Sequence, residues 1–138
     1  MPAENQASRL YIQDGEYEPD IELILAGIAD DIVAEDRRLA LQTSAHGKAA
    51  FMRQMEANLS VGNGTIRAEC LAVRGEHLAL VRQLFDNEIA PGFENEQILV
   101  VEFNEAWQLA RLISFDPEAL DAAYAELDDR HAIREATQ

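Results

Sequence analysis

Apolar positions change their spacing several times along the chain, and each change marks an element. Residues 20–29 (DIELILAGIA) set Ile21, Ile24, Leu25 and Ile28 on one side of a 3.6-residue repeat, behind Pro19 and Asp20. This spacing predicts an amphipathic helix. A shorter helix is expected over 8–13, ending near Gly15. Residues 31–41 (DIVAEDRRLAL) read as a strand. Residues 46–59 read as a helix with Phe51, Met52, Met55 and Leu59 on its apolar side, closed by the Gly-Asn-Gly at 62–64.

Beyond that point the period shortens to two, and four strands are expected at 65–74, 78–86, 97–104 and 109–115. Gly75-Glu76 suits a tight hairpin, Ala90-Pro91-Gly92 a longer connection, and 105–108 a short turn carrying Trp107. Asp116-Pro117-Glu118 supplies an N-cap, a first-turn proline and an early acid for a last helix. Leu120, Ala123, Tyr124 and Leu127 line one of its sides, and its end is expected near residues 131–134.

Taking Gly75 and Glu76 as central turn residues places Glu69 opposite Arg82, and the same logic at Ala106-Trp107 places Glu102 opposite Arg111. One face then carries Arg67, Glu69, Arg82, Glu102 and Arg111 among Leu71, Leu80, Val100 and Ile113. Being half polar, it is expected to be the outer or subunit-contact surface. The other face carries Ile66, Ala68, Cys70, Ala72, Ala79, Val81, Gln83 and Phe85, then Leu99, Val101, Phe103, Ala110, Leu112 and Ser114. It should face the helices. Its small side chains leave room for a cavity of the kind that takes small molecules, unless Phe51, Met52 and Met55 fill it.

Composition narrows the function. The 138 residues hold 11 Lys+Arg against 26 Asp+Glu, a formal charge of −15, and phosphate binding needs the opposite balance. Nucleic acid is therefore not an expected partner. A single cysteine excludes a disulfide scaffold, and Cys70, His46, His77 and His131 stand too far apart in sequence for a zinc motif. The longest uncharged apolar run, 98–101, is far below the roughly 18 residues of a membrane span, and MPAENQASR has no apolar signal core. A cytoplasmic protein without membrane association, metal or cofactor is expected.

The order of elements, together with three local stretches, resembles the nuclear transport factor 2 (NTF2)-like superfamily, which includes ketosteroid isomerase, limonene epoxide hydrolase and SnoaL-type polyketide cyclases. DIELILAGIADDIVAED (20–36), HGKAAFMRQM (46–55) and VVEFNEAWQLARL (100–112) look like ketosteroid isomerase segments, over about residues 8–116 in all. The tail LARLISFDPEALDAAYAELDDRH (109–131) looks more like SnoaL-like domains. The resemblance implies an α+β cone: a curved, mostly antiparallel sheet packed on N-terminal helices, with a C-terminal helix. Residues 1–138 would form this single domain, with 1–7 and 135–138 flexible, as a homodimer enclosing a pocket for a small apolar, polyketide- or steroid-like molecule.

The resemblance makes Asp36 the general base of a cofactor-free isomerase, cyclase or hydrolase, chemistry that needs a carboxylate in an apolar cavity. Period two turns Asp36 inward with Ala34 and Arg38, and a paired Asp36–Arg38 would instead hold a polar ligand group. The isomerase's acid donor aligns with Leu99, which has no proton to donate; its tyrosine falls beside Tyr11 and Ile12, and the cyclases' last-strand aspartate lies near Ser114. The expected ligand-contacting set is Arg38, Gln83, Ser114, Leu99, Tyr11, Phe51, Met55 and Phe103. Beside it stands a non-catalytic binding or dimerisation module. His46 reads as a capping or exposed residue, Cys70 as an inert core thiol, Trp107 as a surface residue and His131 as solvated.

Overall fold

The computed structural model describes residues 4–12, 26–38, 43–59, 64–87 and 94–137. Helix α1 (Gln6–Tyr11) is followed by strands β1 (Ile28–Asp36) and β2 (Thr43–His46) and helix α2 (Lys48–Leu59). Strands β3 (Gly64–Arg74), β4 (Leu78–Asn87), β5 (Glu94–Phe103) and β6 (Leu109–Phe115) come next, then a 3₁₀ turn (Pro117–Ala119) running into α3 (Leu120–Ala136). One six-stranded sheet has the order β2-β1-β6-β5-β4-β3. All its neighbours are antiparallel except β1 and β6, which run parallel.

Two apolar layers hold the sheet. On the inner face Ile32, Ala34, Ala79, Val81, Leu99, Val101, Phe103 and Leu109 pack with Ala7 of α1 and Phe51 of α2. On the outer face Leu78, Leu80, Ile98, Val100, Ile113 and Phe115 pack with Ala123 and Leu127 of α3. The apolar part of the face expected to be external is thus covered by the chain's own C-terminal helix. Burial of that area is the main stabilisation available to α3.

The N-terminal half departs most from the sequence reading. Ile28 and Ala29, expected to end the first helix, are buried at 1% exposure as the first residues of β1; Ile21, Ile24 and Leu25 lie outside the described residues. Gly27 ends the helical turn, and its carbonyl accepts from the Leu109 amide at 2.8 Å, which starts β1 alongside β6. β1 ends at Asp36, short of the expected 41. His46 closes β2, an unforeseen strand, and does not begin the helix. Gly47 makes the sharp entry into α2 at φ +91, a conformation natural to glycine.

The segment from Asn5 onward is tied to the sheet. Asn5 and Ser8 form a reciprocal capping box at α1. The Asn5 Nδ2 donates to the carbonyls of Gly75 (3.0 Å) and Leu78 (2.8 Å), tying α1 to the β3–β4 turn. At the other end α3 runs to Ala136, and Asp116 makes no side-chain capping bond.

Both hairpins show the expected ion-pair partners through turns of unexpected length. Glu69 does face Arg82, yet Arg74 pairs with Leu78, because a three-residue turn is offset by a bulge at Leu71. Glu102 likewise faces Arg111, while Phe103 pairs with Leu109 and Ala110 bulges. The first bulge flips the strand's parity. Ala72 therefore packs on the outer side toward α3 and Val73 on the inner side, the reverse of the simple alternation.

Candidate functional site

The inner face gathers most of the side chains singled out in the sequence. Asp36 ends β1, opposite Ser114 of β6 in parallel register and Thr43 of β2 in antiparallel register. Inward orientation follows from alternation with buried Ala34. Glu35, between them, turns outward to Arg37 (2.8 Å).

Arg38 grips Asp36 from two residues away. Its Nε donates to Oδ1 at 2.9 Å and its Nη2 to Oδ2 at 2.6 Å, and its backbone amide adds a third bond to Oδ1 at 3.1 Å. Both side chains are mostly buried, 15% and 17% exposed. Hydrogen bonding to Asp36 raises the Arg38 guanidinium above its ordinary range, against the opposing effect of burial, with the charges of Asp36 and Asp116 adding to the rise. The pair is a fixed, bidentate unit.

A second polar pair stands elsewhere on the same face. The Tyr11 hydroxyl of α1 donates to Gln83 Oε1 of β4 at 2.8 Å, across 72 residues of chain. Leu99 (1% exposed), Phe103 (5%) and Phe51 (6%) lie inside the inner apolar layer. Met55 is in α2 beyond the side chains that are described. Asp36–Arg38 and Tyr11–Gln83 are side-chain hydrogen bonds formed within the predicted set.

Cys70 is half-buried, and its Sγ lies 3.4 Å from the Ala72 carbonyl. Burial pushes its thiol up from the usual range, which favours the protonated form. No group of three or more metal-ligating side chains occurs among the described residues.

The outer side holds a polar cluster that sequence reasoning reduced to one exposed ion pair. Glu102, 5% exposed, accepts from Arg130 Nε at 2.8 Å and Arg134 Nη1 at 2.9 Å, with Arg111 Nε at 3.8 Å. Arg134 also bonds Glu105 at 2.8 Å. With Ile133 and Thr137, these residues other than Arg111 line a cleft of about 540 Å³ beneath the end of α3. The spacing of Arg130 and Arg134, one helical turn apart, was the available signal. What it lacked was the packing of α3 against β5.

At the β5–β6 tip Trp107 adopts φ +60, rare for a bulky residue, and stacks on His77 with ring centres 4.2 Å apart and planes at 8°. His77 Nε2 is buried without a hydrogen-bond partner and lies 3.7 Å from Glu105.

Solved structures share this architecture. A provisionally assigned isomerase of the SnoaL-like family from Agrobacterium tumefaciens aligns over 68% of this chain and 77% of its own, with 14% identity and a TM-score of 0.52. An epoxide hydrolase/cyclase-like enzyme of pyran ring formation in the polyether salinomycin, SalBIII, aligns over 70% and 77%, with 13% identity and a TM-score of 0.53. The chain has the NTF2-like fold. An NTF2-like protein of unknown function from Pseudomonas putida adds 22% identity over 71% of this chain and 73% of its own, at a TM-score of 0.50. No family model and no curated protein sequence matches the chain. At these identities the likeness establishes the NTF2-like fold, and the chemistry rests on the residues themselves.

Proposed function

We propose that this NTF2-like chain binds a small, mainly apolar molecule on its inner sheet face, and that Asp36–Arg38 recognises a polar group of that molecule without catalysing its conversion. The observation that carries this reading is the closed geometry of the pair. Both carboxylate oxygens of Asp36 already accept from Arg38, so a base at this position would first have to give up a charge-assisted hydrogen bond. Leu99, buried at 1% exposure, offers no donor for a developing oxyanion. An Arg38 guanidinium held in place by Asp36 is instead a preorganised donor for a ligand carbonyl or carboxylate.

A cofactor-free isomerase, cyclase or hydrolase with Asp36 as general base is the second reading. It is favoured by the position of Asp36 at the end of β1, beside Ser114, and by the isomerase- and cyclase-like proteins that share the fold. There Arg38 would swing away from one carboxylate oxygen when substrate enters.

A thermal-shift screen of the full chain against steroids, polyketide-like aromatics, terpenes and their epoxides tests both. Ligand at 100 times its dissociation constant adds roughly 2.7 kcal/mol. Stabilisation by one chemical class without product formation supports the binding reading, and product formation abolished by Asp36→Asn supports the enzyme. No shift across the library contradicts both.

A further inference from the structure

His77 lies in the β3–β4 turn and Trp107 in the β5–β6 turn, and their rings stack with centres 4.2 Å apart. The stack holds Trp107 at φ +60, a strained conformation for a bulky residue and one that points to a use for the contact. The His77 side chain is mostly buried, and its Nε2 has no hydrogen-bond partner among the described residues. Glu105 Oε2 stands 3.7 Å from that nitrogen, too far for a hydrogen bond. The other oxygen, Oε1, accepts from Arg134 Nη2 at 2.8 Å, and Arg134 Nη1 bonds Glu102 at 2.9 Å. A chain of charges thus runs from β5 through the end of α3 to the β5–β6 turn and stops one bond short of the β3–β4 turn. We propose that a proton on His77 completes this chain through Nε2–H and Glu105 Oε2, making a pH-dependent latch between the two hairpin turns and α3.

A neutral imidazole carries one N–H and no charge, whereas the imidazolium donates from both nitrogens. Protonation therefore guarantees a donor at Nε2 and adds attraction to the carboxylate. The Glu105 side chain is 81% exposed, so a small rotation closes the gap while Oε1 keeps its bond to Arg134. The same proton turns the Trp107 stack into a cation–π contact. The other charged groups at this end have partners of their own. Arg74 of β3 bonds Asp128 of α3 at 2.8 Å, and His131 bonds Glu135 within α3 at 2.7 Å. Glu76 of the turn accepts from the Gln6 amide at 2.9 Å, and Arg9 of α1 bonds Glu4. On the β5 side, Arg130 and Arg111 stand at Glu102. His131 also lies beside Gly75 of the same turn, which makes it the second imidazole that a test must separate from His77.

Trp107 is the chain's single tryptophan, so its emission reports the latch directly, because a stacked imidazolium quenches indole fluorescence more strongly than neutral imidazole does. Titration of the full chain from about pH 8 to about pH 5, the range in which imidazoles gain their proton, should show a loss of emission along a single-proton curve. His77→Gln should abolish that transition, and His131→Gln should leave it in place. Glu105→Gln, at an exposed side chain, keeps the stack but removes the attracting charge, and should move the midpoint to lower pH by about half a unit or more. A flat wild-type curve, a transition that survives His77→Gln or disappears in His131→Gln, or a Glu105→Gln curve that superimposes on wild type would each overturn the proposal.

Discussion

Arg38 binds both oxygens of Asp36, at 2.9 and 2.6 Å, at the inner end of β1. β1 stops at Asp36, and the Arg37 amide donating to the Ser114 carbonyl at 2.8 Å is the last rung of its parallel pairing with β6.

Breaking this pair from either side should cost stability. Each side chain is less than one fifth exposed, so Asp36→Asn and Arg38→Met are each expected to lower the unfolding free energy by about 1–3 kcal/mol in urea denaturation. The double variant should lose less than the sum of the two, with a coupling of about 1 kcal/mol or more. Strict additivity would mean that the two side chains do not act together.

Glu102 is the anchor of the α3 clasp. Two arginines of α3 donate to it and a third from β6 lies close by, so removing it strands several partly buried cations. Glu102→Ala should destabilise the chain by about 2–4 kcal/mol, and Glu105→Ala, at an 81% exposed side chain, by less than about 1 kcal/mol. Chemical denaturation of both variants checks the contrast.

Trp107 separates a backbone effect from a side-chain effect. Replacement by Gly and by Ala both remove the ring stacked on His77. Only Gly takes φ +60 without strain, so Trp107→Gly should be more stable than Trp107→Ala by about 1 kcal/mol. Thermal unfolding of the pair measures it.

Cys70 should resist thiol reagents in the native protein. Burial raises its proton affinity, so at a given mildly alkaline pH less thiolate is present than in the unfolded chain. Reaction with a disulfide reagent is expected to be slow in buffer and fast in denaturant. The same shift makes folding stability fully present below the unfolded thiol's range and lost as pH rises through the folded one.

The sheet's hairpins were legible in the sequence for an instructive reason. Turn residues and period-two alternation are local, so the strand positions and the Glu69–Arg82 and Glu102–Arg111 pairs could be read from spacing alone. Each turn shifts the register by one residue from the two-residue reading, and each bulge shifts it back, so the two deviations cancel at the pairs. They do not cancel for the strand's facing, which is why Ala72 was assigned to the wrong side. The parallel pairing of β1 with β6 joins segments some 80 residues apart, and nothing local announces it. Without that partner Ile28 reads as part of the apolar side of a helix.

The site was legible in part for the same reason. Alternation along β1 foretold Asp36 and Arg38 on one face, and their ion pair was one of two readings open for them. The Tyr11–Gln83 bond joins residues 72 positions apart in sequence, and each is visible there only as a lone inward polar group. Glu102 looked like half of an exposed pair because the contact that buries it comes from α3.

The binding reading stands on Asp36–Arg38 as a recognition unit, and calorimetric titration of the compound that most stabilises the chain tests it directly, in wild-type, Arg38→Met and Asp36→Asn proteins. The account predicts that Arg38→Met weakens binding about tenfold or more, the cost of losing a charge-assisted hydrogen bond, while neither wild-type nor variant turns the compound over. Equal affinity in wild type and Arg38→Met would contradict it.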